Sequence, residues 1–201
     1  LEGATPAAFD PAGRRKIFGA EDVDSEGVKD PYVAIVGRQY YMFVHYAPRA
    51  LLPVDATQDA LHGTGNIFAT DQGKGSAGLA LSSDGVRFTW VGDILPPGDH
   101  WDRKLTRVDT MLYEPPGFTL LYSGRSDVKE TYEDRTGLAT SLDLVHFHKL
   151  TQDAPILASP HSTGALRYSD AVPVGDEIFF YYECAREDGA HELRLSRVKR
   201  Q

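Results

Sequence analysis

Apolar residues fall in short runs cut by Gly, Pro and Asp, and no stretch keeps a helical spacing over three turns. Three of these runs open with an aspartate and fold back on themselves. Asp30-Pro31-Tyr32-Val33-Ala34-Ile35-Val36 turns at Gly37-Arg38 into Tyr40-Tyr41-Met42-Phe43-Val44-His45-Tyr46. Asp109-Thr110-Met111-Leu112-Tyr113 turns at Pro115-Pro116-Gly117 into Phe118-Thr119-Leu120-Leu121-Tyr122. Asp170-Ala171-Val172-Pro173-Val174 turns at Gly175-Asp176 into Ile178-Phe179-Phe180-Tyr181-Tyr182-Glu183. Runs rich in β-branched and aromatic residues, joined through turn residues, predict antiparallel hairpins.

A third strand follows each hairpin, and it repeats. Gly78-Leu79-Ala80-Leu81-Ser82-Ser83-Asp84-Gly85-Val86-Arg87-Phe88 returns 59 positions later as Gly137-Leu138-Ala139-Thr140-Ser141-Leu142-Asp143-Leu144-Val145-His146-Phe147, with a weaker echo at Glu192-Leu193-Arg194-Leu195-Ser196. A fourth strand is predicted through Phe88-Thr89-Trp90-Val91 and Phe147-His148-Lys149-Leu150. The fold class is all-β: four-stranded antiparallel units repeated in sequence are β-propeller blades, about three in this chain. The 201 residues form one domain, with blades at about 30–91, 109–150 and 170–201 and a lead-in at 1–13 rich in Ala, Pro and Gly. The third blade stops after its third strand. Residues 14–18 are expected to supply the missing outer strand, in the same chain or a neighbouring one, because a bare sheet edge is normally covered.

The formal charge of −8, without a Lys/Arg cluster, excludes nucleic acid as an expected partner. No apolar run reaches spanning length and no basic-then-apolar signal opens the sequence, so no membrane partner is expected and the cytoplasm is the default location. Cys184 stands alone, which excludes an intramolecular disulfide. His45, His62, His100, His161 and His191 lack the short spacing of metal ligands, and no cofactor is expected. A structural calcium on Asp22, Asp24 and Glu26 is the alternative to a solvated acidic loop.

Connectivity fixes the functional face. The links 47–77, 124–136 and 184–190, and those at 92–107 and 151–168, are long, whereas the other turns are short. All long links therefore fall at the end where Asp30, Asp109 and Asp170 open the inner strands and where Glu183 returns. Asp84 and Asp143 sit in tight turns at the opposite end. Carboxylates crowded around an axis suit glycosidic bond cleavage, in which one acid gives a proton and another stays ionised. Arg107, Arg125 and Arg167 lie beside this ring and could hold one carboxylate ionised. Tyr32, His45, Trp101 and Tyr122, with Tyr46 and Tyr168, are the candidates to contact or stack on sugar. Strand-end capping is the plain structural role for the same aspartates, most of all for Asp170.

The segment Lys29-Asp30-Pro31-Tyr32-Val33, followed by Tyr40-Tyr41-Met42-Phe43 and by Gly-Leu-Ala-x-Ser-x-Asp-Gly-x-x-Phe-x-Trp, resembles the furanosidase-type glycoside hydrolases. That group of five-bladed propellers includes arabinanases, β-xylosidases, invertases and levansucrases, and the resemblance spans about residues 14–201. It implies a carbohydrate substrate, Asp30 as base or nucleophile, Asp109 in Arg107-Val108-Asp109 as the orienting acid, and Glu183 as proton donor. The Ser-x-Asp-Gly stretch also resembles a sialidase Asp-box, for which the three arginines would have to converge on a ligand. A non-catalytic carbohydrate-binding propeller and a purely oligomerising module are the other classes.

About three blades leave apolar sheet faces uncovered, so the chain is expected to form a homo-oligomer, a two-fold dimer of about six blades being favoured. Sedimentation should then show a species larger than the 22.1 kDa chain, and a monodisperse, fully active monomer would contradict it.

Overall fold

The computed structural model describes residues 5–128 and 134–200. Among the described residues, eleven strands form three antiparallel sheets in chain order. The first contains β1 (Ser25–Val36), β2 (Gln39–Pro48), β3 (Ser76–Ser82) and β4 (Thr89–Leu95). The second contains β5 (Leu105–Glu114), β6 (Gly117–Arg125), β7 (Arg135–Ser141) and β8 (His148–Lys149). The third is β9 (Leu166–Val174), β10 (Glu177–Ala185) and β11 (His191–Lys199). These are the expected propeller blades, the third with three strands. The five-residue helix α1 (Gln58–His62) is the only α-helix among the described residues, so no described helix is long enough to cross a membrane.

The core lies mainly between the first two sheets, where Ala34, Phe43, Leu79 and Leu95 meet Val108, Leu120, Tyr122 and Ala139. A smaller cluster of Leu112, Ala171 and Ile178 joins the second sheet to the third. The inner strands are also tied directly. Tyr32 Oη accepts from the Met111 N–H at 3.2 Å, and the Ala171 N–H donates to Thr110 Oγ1 at 3.2 Å. The repeated glycine has a steric cause: a Cβ on Gly78 would run into the Trp90 ring, and one on Gly137 into the Tyr122 ring. Each of the first two sheets therefore packs an aromatic ring against the glycine of its third strand.

The repeated turn is the same device twice. Asp84 Oδ1 accepts the Val86 and Arg87 N–H groups at 2.9 and 2.8 Å, and Asp143 Oδ1 accepts those of Val145 and His146 at 2.9 and 2.8 Å. Gly85 takes φ +71° in the first copy, and Leu144 takes φ +64° in the second. Leu144 is fully buried, and that burial offsets the left-handed backbone of a β-carbon-bearing residue.

Two expectations need correction. Residues 14–18 form no strand; Phe18 instead packs on Trp90, with ring centroids 6.0 Å apart, and covers the outer face of the first sheet. The fourth strand of the second sheet shrinks to His148–Lys149, with Leu150 adding one bond from its N–H to the Leu138 carbonyl at 2.8 Å. In the acidic loop weighed as a calcium site, all three carboxylates have protein partners. Arg49 pairs with Asp24 at 3.2 Å and with Glu26 at 2.6 Å, His62 meets Glu26 at 2.9 Å, and Asp22 accepts the Gly19 N–H at 2.7 Å.

Both turn aspartates have carboxyls held well below the usual range. In Asp84 the Arg87 N–H bond contributes most, and in Asp143 it is the contact with the His146 ring. A depressed native pKa gives stability that is complete above the unfolded value of about 3.9 and is lost as pH falls below it. Asp84→Ala and Asp143→Ala should therefore lower the thermal midpoint clearly at about pH 7, with the deficit shrinking towards about pH 3. Melting curves of both variants across that range check the sign.

Candidate active site

The axial end of the inner strands is organised by register. In each blade the first strand carries a break in pairing at the same height. Lys29 faces His45 and Tyr32 faces Phe43, leaving Asp30 and Pro31 across from Val44. Val108 faces Tyr122 and Thr110 faces Leu121, leaving Asp109 extra. Arg167 faces Glu183 and Asp170 faces Tyr181, leaving Tyr168 and Ser169 across from Tyr182. A bulge of this kind re-aims side chains and is common beside functional sites. The basic residues Lys29, Arg107 and Arg167 thus share one position, opposite His45, Ser123 and Glu183. The three aspartates do not: Asp30 begins its bulge, Asp109 ends one, and Asp170 lies one residue beyond. The residue equivalent to Asp30 in the third blade is Tyr168, and both take φ +50°.

Arg107 is the hub. Its side chain is buried, with Nε 3.3 Å from Asp109 Oδ1 and Nη1 3.5 Å from Asp30 Oδ2 and 3.3 Å from Asp134 Oδ2. Burial disfavours its charge, but the carboxylates of Asp109, Asp134 and Asp30 outweigh that and raise its pKa further. Asp109 is equally buried. Desolvation pushes its carboxyl above the usual range, against the pull of Arg107 and of the Ser123 hydroxyl, which donates to Oδ2 at 2.6 Å. Asp30, by contrast, keeps about a third of its side chain open, with Lys29 Nζ 3.7 Å away. The pair therefore divides into a fixed, buried acid and an accessible one.

The third sheet continues the chain of contacts. The Tyr168 ring lies 4.0 Å from the Arg107 guanidinium carbon and 5.0 Å from that of Arg167. Arg167 donates from Nε to Glu183 Oε1 at 2.9 Å and from Nη2 to the same oxygen at 2.5 Å, and His191 Nδ1 stands 2.5 Å from it. Partial burial of Glu183 pushes its carboxyl up, but the bonds from Arg167 and His191 prevail and hold it below the usual range. That is the reverse of what a resting proton donor needs. Asp170 sits at the exposed rim, where Thr110 Oγ1 donates to Oδ1 at 3.2 Å.

Several candidates for sugar contact turn out to be packing residues. His45 is buried with Nδ1 2.9 Å from the Thr106 carbonyl, and burial, then Arg107 and Lys29, push its pKa well down. Trp101 donates to the Thr151 carbonyl at 2.7 Å and stacks on the fully buried Tyr122. Tyr32 bridges the first two sheets, and Tyr46 is buried against the edge of Trp90. Arg125 is turned inward, with Nη2 2.6 Å from the Phe68 carbonyl and Nη1 3.5 Å from Asp134. The arginines thus pair with protein carboxylates instead of converging on one point, which removes the sialidase-type triad. Phe68 belongs to the 47–77 link, whose Leu61 and Ile67 form a small core with Ala47. That link therefore packs beside the site.

Sequence reasoning did not single out Asp134 or His191 for this site. Asp134 stands just before the repeated Gly-Leu-Ala segment, in the β6–β7 link of the same blade as Arg107 and 27 positions from it, so spacing carries no signal for it. His191 had one: the β10–β11 hairpin pairs Ala185 with His191, which places it diagonally beside Glu183. Two hollows among the described residues lie elsewhere. One of about 340 Å³ runs past Leu95, Gly98, Phe147 and Lys149, and one of about 650 Å³ lies beside Arg186 and Arg194. Neither is lined by Asp30, Arg107, Tyr168 or Glu183; at the axial end Tyr168 is exposed and Asp30 and Glu183 are partly open above the buried Arg107.

The chain matches no protein-family model and no curated protein sequence. Its fold does match solved structures. Zg3597, a family 117 glycoside hydrolase of the marine bacterium Zobellia galactanivorans, superposes with a TM-score of 0.67 at 15% identity, over 92% of this chain and 56% of that one. The α-L-arabinofuranosidase of Lactobacillus brevis gives 0.61 at 13%, over 85% and 52%. The GH32 β-fructofuranosidase BmSUC1 of Bombyx mori gives 0.58 at 18%, over 84% and 32%. The fold is therefore that of the propeller-type glycoside hydrolases, and the chain spans about half the length of the first two.

Because three carboxylates surround the buried Arg107, Arg107→Met should cost about 3–5 kcal/mol, the range for breaking a buried ion pair from one side. Denaturant midpoints at neutral pH measure it, and a loss below about 1 kcal/mol would mean that water already screens the cluster.

Proposed function

We propose that this chain carries the axial site of a glycoside hydrolase, with Asp30 as its base or nucleophile. One observation carries the reading. Asp30 is the partly open carboxylate at the hub, held by Arg107 and Lys29 on a left-handed backbone that only a firmly packed site maintains. Asp109 serves as the orienting acid: fully buried, it fixes Arg107, and through it Asp30. Glu183 is the proton donor of this reading, and it acts as one only when substrate draws off Arg167 or His191, which otherwise keep it ionised. The similar solved structures are glycosidases, which supports a carbohydrate substrate.

A second reading, a carbohydrate-binding propeller without turnover, is favoured by two features. Glu183 is locked in an ion pair, and the third blade places Tyr168 where the first has Asp30. A screen of nitrophenyl furanosides and pyranosides separates the two. Under the hydrolase reading Asp30→Asn removes at least about 10²-fold of the turnover with an unchanged melting curve. Undiminished hydrolysis by Asp30→Asn would take that residue out of the mechanism, and no hydrolysis by the unaltered chain would favour the binding reading.

A further inference from the structure

We infer that Tyr168 is the platform on which one sugar ring stacks, and that the site selects neutral sugars over carboxylated or sulfated ones. The inference rests on the carbohydrate reading above but not on turnover. Positive φ is rare for an aromatic residue and is maintained at a cost of about 1–3 kcal/mol. Tyr168 adopts it on the surface, with 44% of the residue exposed, where no apolar burial offsets it as it does for Leu144. The bulge of β9 turns the ring onto the axial surface, in the position that Asp30 holds in its own blade. The guanidiniums of Arg107 and Arg167, over the ring at 4.0 and 5.0 Å from its centroid, hold it in place, which spares a ligand the entropy of ordering it. An exposed aromatic residue flanked by hydrogen-bond acceptors matches a sugar, which offers C–H groups to the ring and hydroxyls to the carboxylates.

The selectivity follows from which charges stand in the open. Arg107, Arg125 and Arg167 have side chains at most 9% exposed, and each lies against a protein carboxylate. Lys29, on the rim, is taken up by Asp30 and lies 4.7 Å from the Phe68 ring centroid. The carboxylates Asp30, Asp170 and Glu183 remain at least partly open around Tyr168. An incoming anion meets like charge there, whereas a hydroxyl meets acceptors.

Saturation-transfer NMR with L-arabinose, D-galactose, D-fructose and D-galacturonate tests both parts. At least one neutral sugar should receive transfer, and D-galacturonate should receive none. Tyr168→Phe should keep the signal, and Tyr168→Asn, which tolerates the left-handed backbone, should weaken binding by about three- to tenfold. Tyr168→Gly suits the same backbone and is the second variant should Asn fail to fold. Transfer to galacturonate equal to the neutral sugars, transfer undiminished in the folded Asn or Gly variant, or no transfer from any sugar would overturn the inference. Tyr168-dependent binding without hydrolysis of any nitrophenyl glycoside would leave the platform standing and remove the hydrolase reading. Hydrolysis with binding indifferent to Tyr168 would do the opposite.

Discussion

The buried guanidinium of Arg107 is the interaction on which the axial end depends. It lies on the inner strand of the second sheet and reaches Asp30 on the first, Asp134 on the link before β7 and the Tyr168 ring on the third. Apolar packing alone would let three sheets slide at this end, because the cluster between the second and third is small. A charge with fixed fork geometry and three carboxylate neighbours cannot slide without leaving a buried ion unpaired. The same contact that joins the blades therefore sets the height at which their polar residues meet.

The bulges make that meeting chemically useful. Without an extra residue, Arg107 and Asp109 would be two equivalent positions on one strand face. The irregularity at Asp109 sends its carboxylate back to Arg107 and to the Ser123 hydroxyl, deep in the protein. The bulge at Asp30 leaves that carboxylate at the surface. Two acids of the same kind thereby acquire opposite environments, one dehydrated and one open, which is the physical requirement for unlike roles. At Glu183 the local partners act in the other direction. Arg167 and His191 share one of its oxygens and hold the charge in place.

Much of the scaffold is legible in the sequence. Alternation within the Asp-led runs, the turn residues between them and the Gly-Leu-Ala repeat specify three hairpin-based sheets, since each signal acts over a few residues. The repeated Ser-x-Asp turn follows from side-chain bonds within three positions. The crowding of Asp30, Asp109 and Glu183 at one end follows from loop lengths alone. The outer strand expected at 14–18 is absent from this chain, where Phe18 packs on Trp90 instead.

What the sequence by itself determined is thus the element order, the blade unit and the end of the molecule where acids gather. Only the tertiary structure decided which of those acids is buried, which is open and which is neutralised. Pairings such as Arg107 with Asp134, 27 positions apart in one blade, or with Asp30, 77 positions apart and across two blades, leave no periodic trace in the chain. A bulge shifts a side chain by one register position without changing composition, so the equivalence of Tyr168 with Asp30 is invisible until the strands are paired. Periodicity reports which face of a strand is apolar; the identity of the neighbour on that face is a property of the packed sheets.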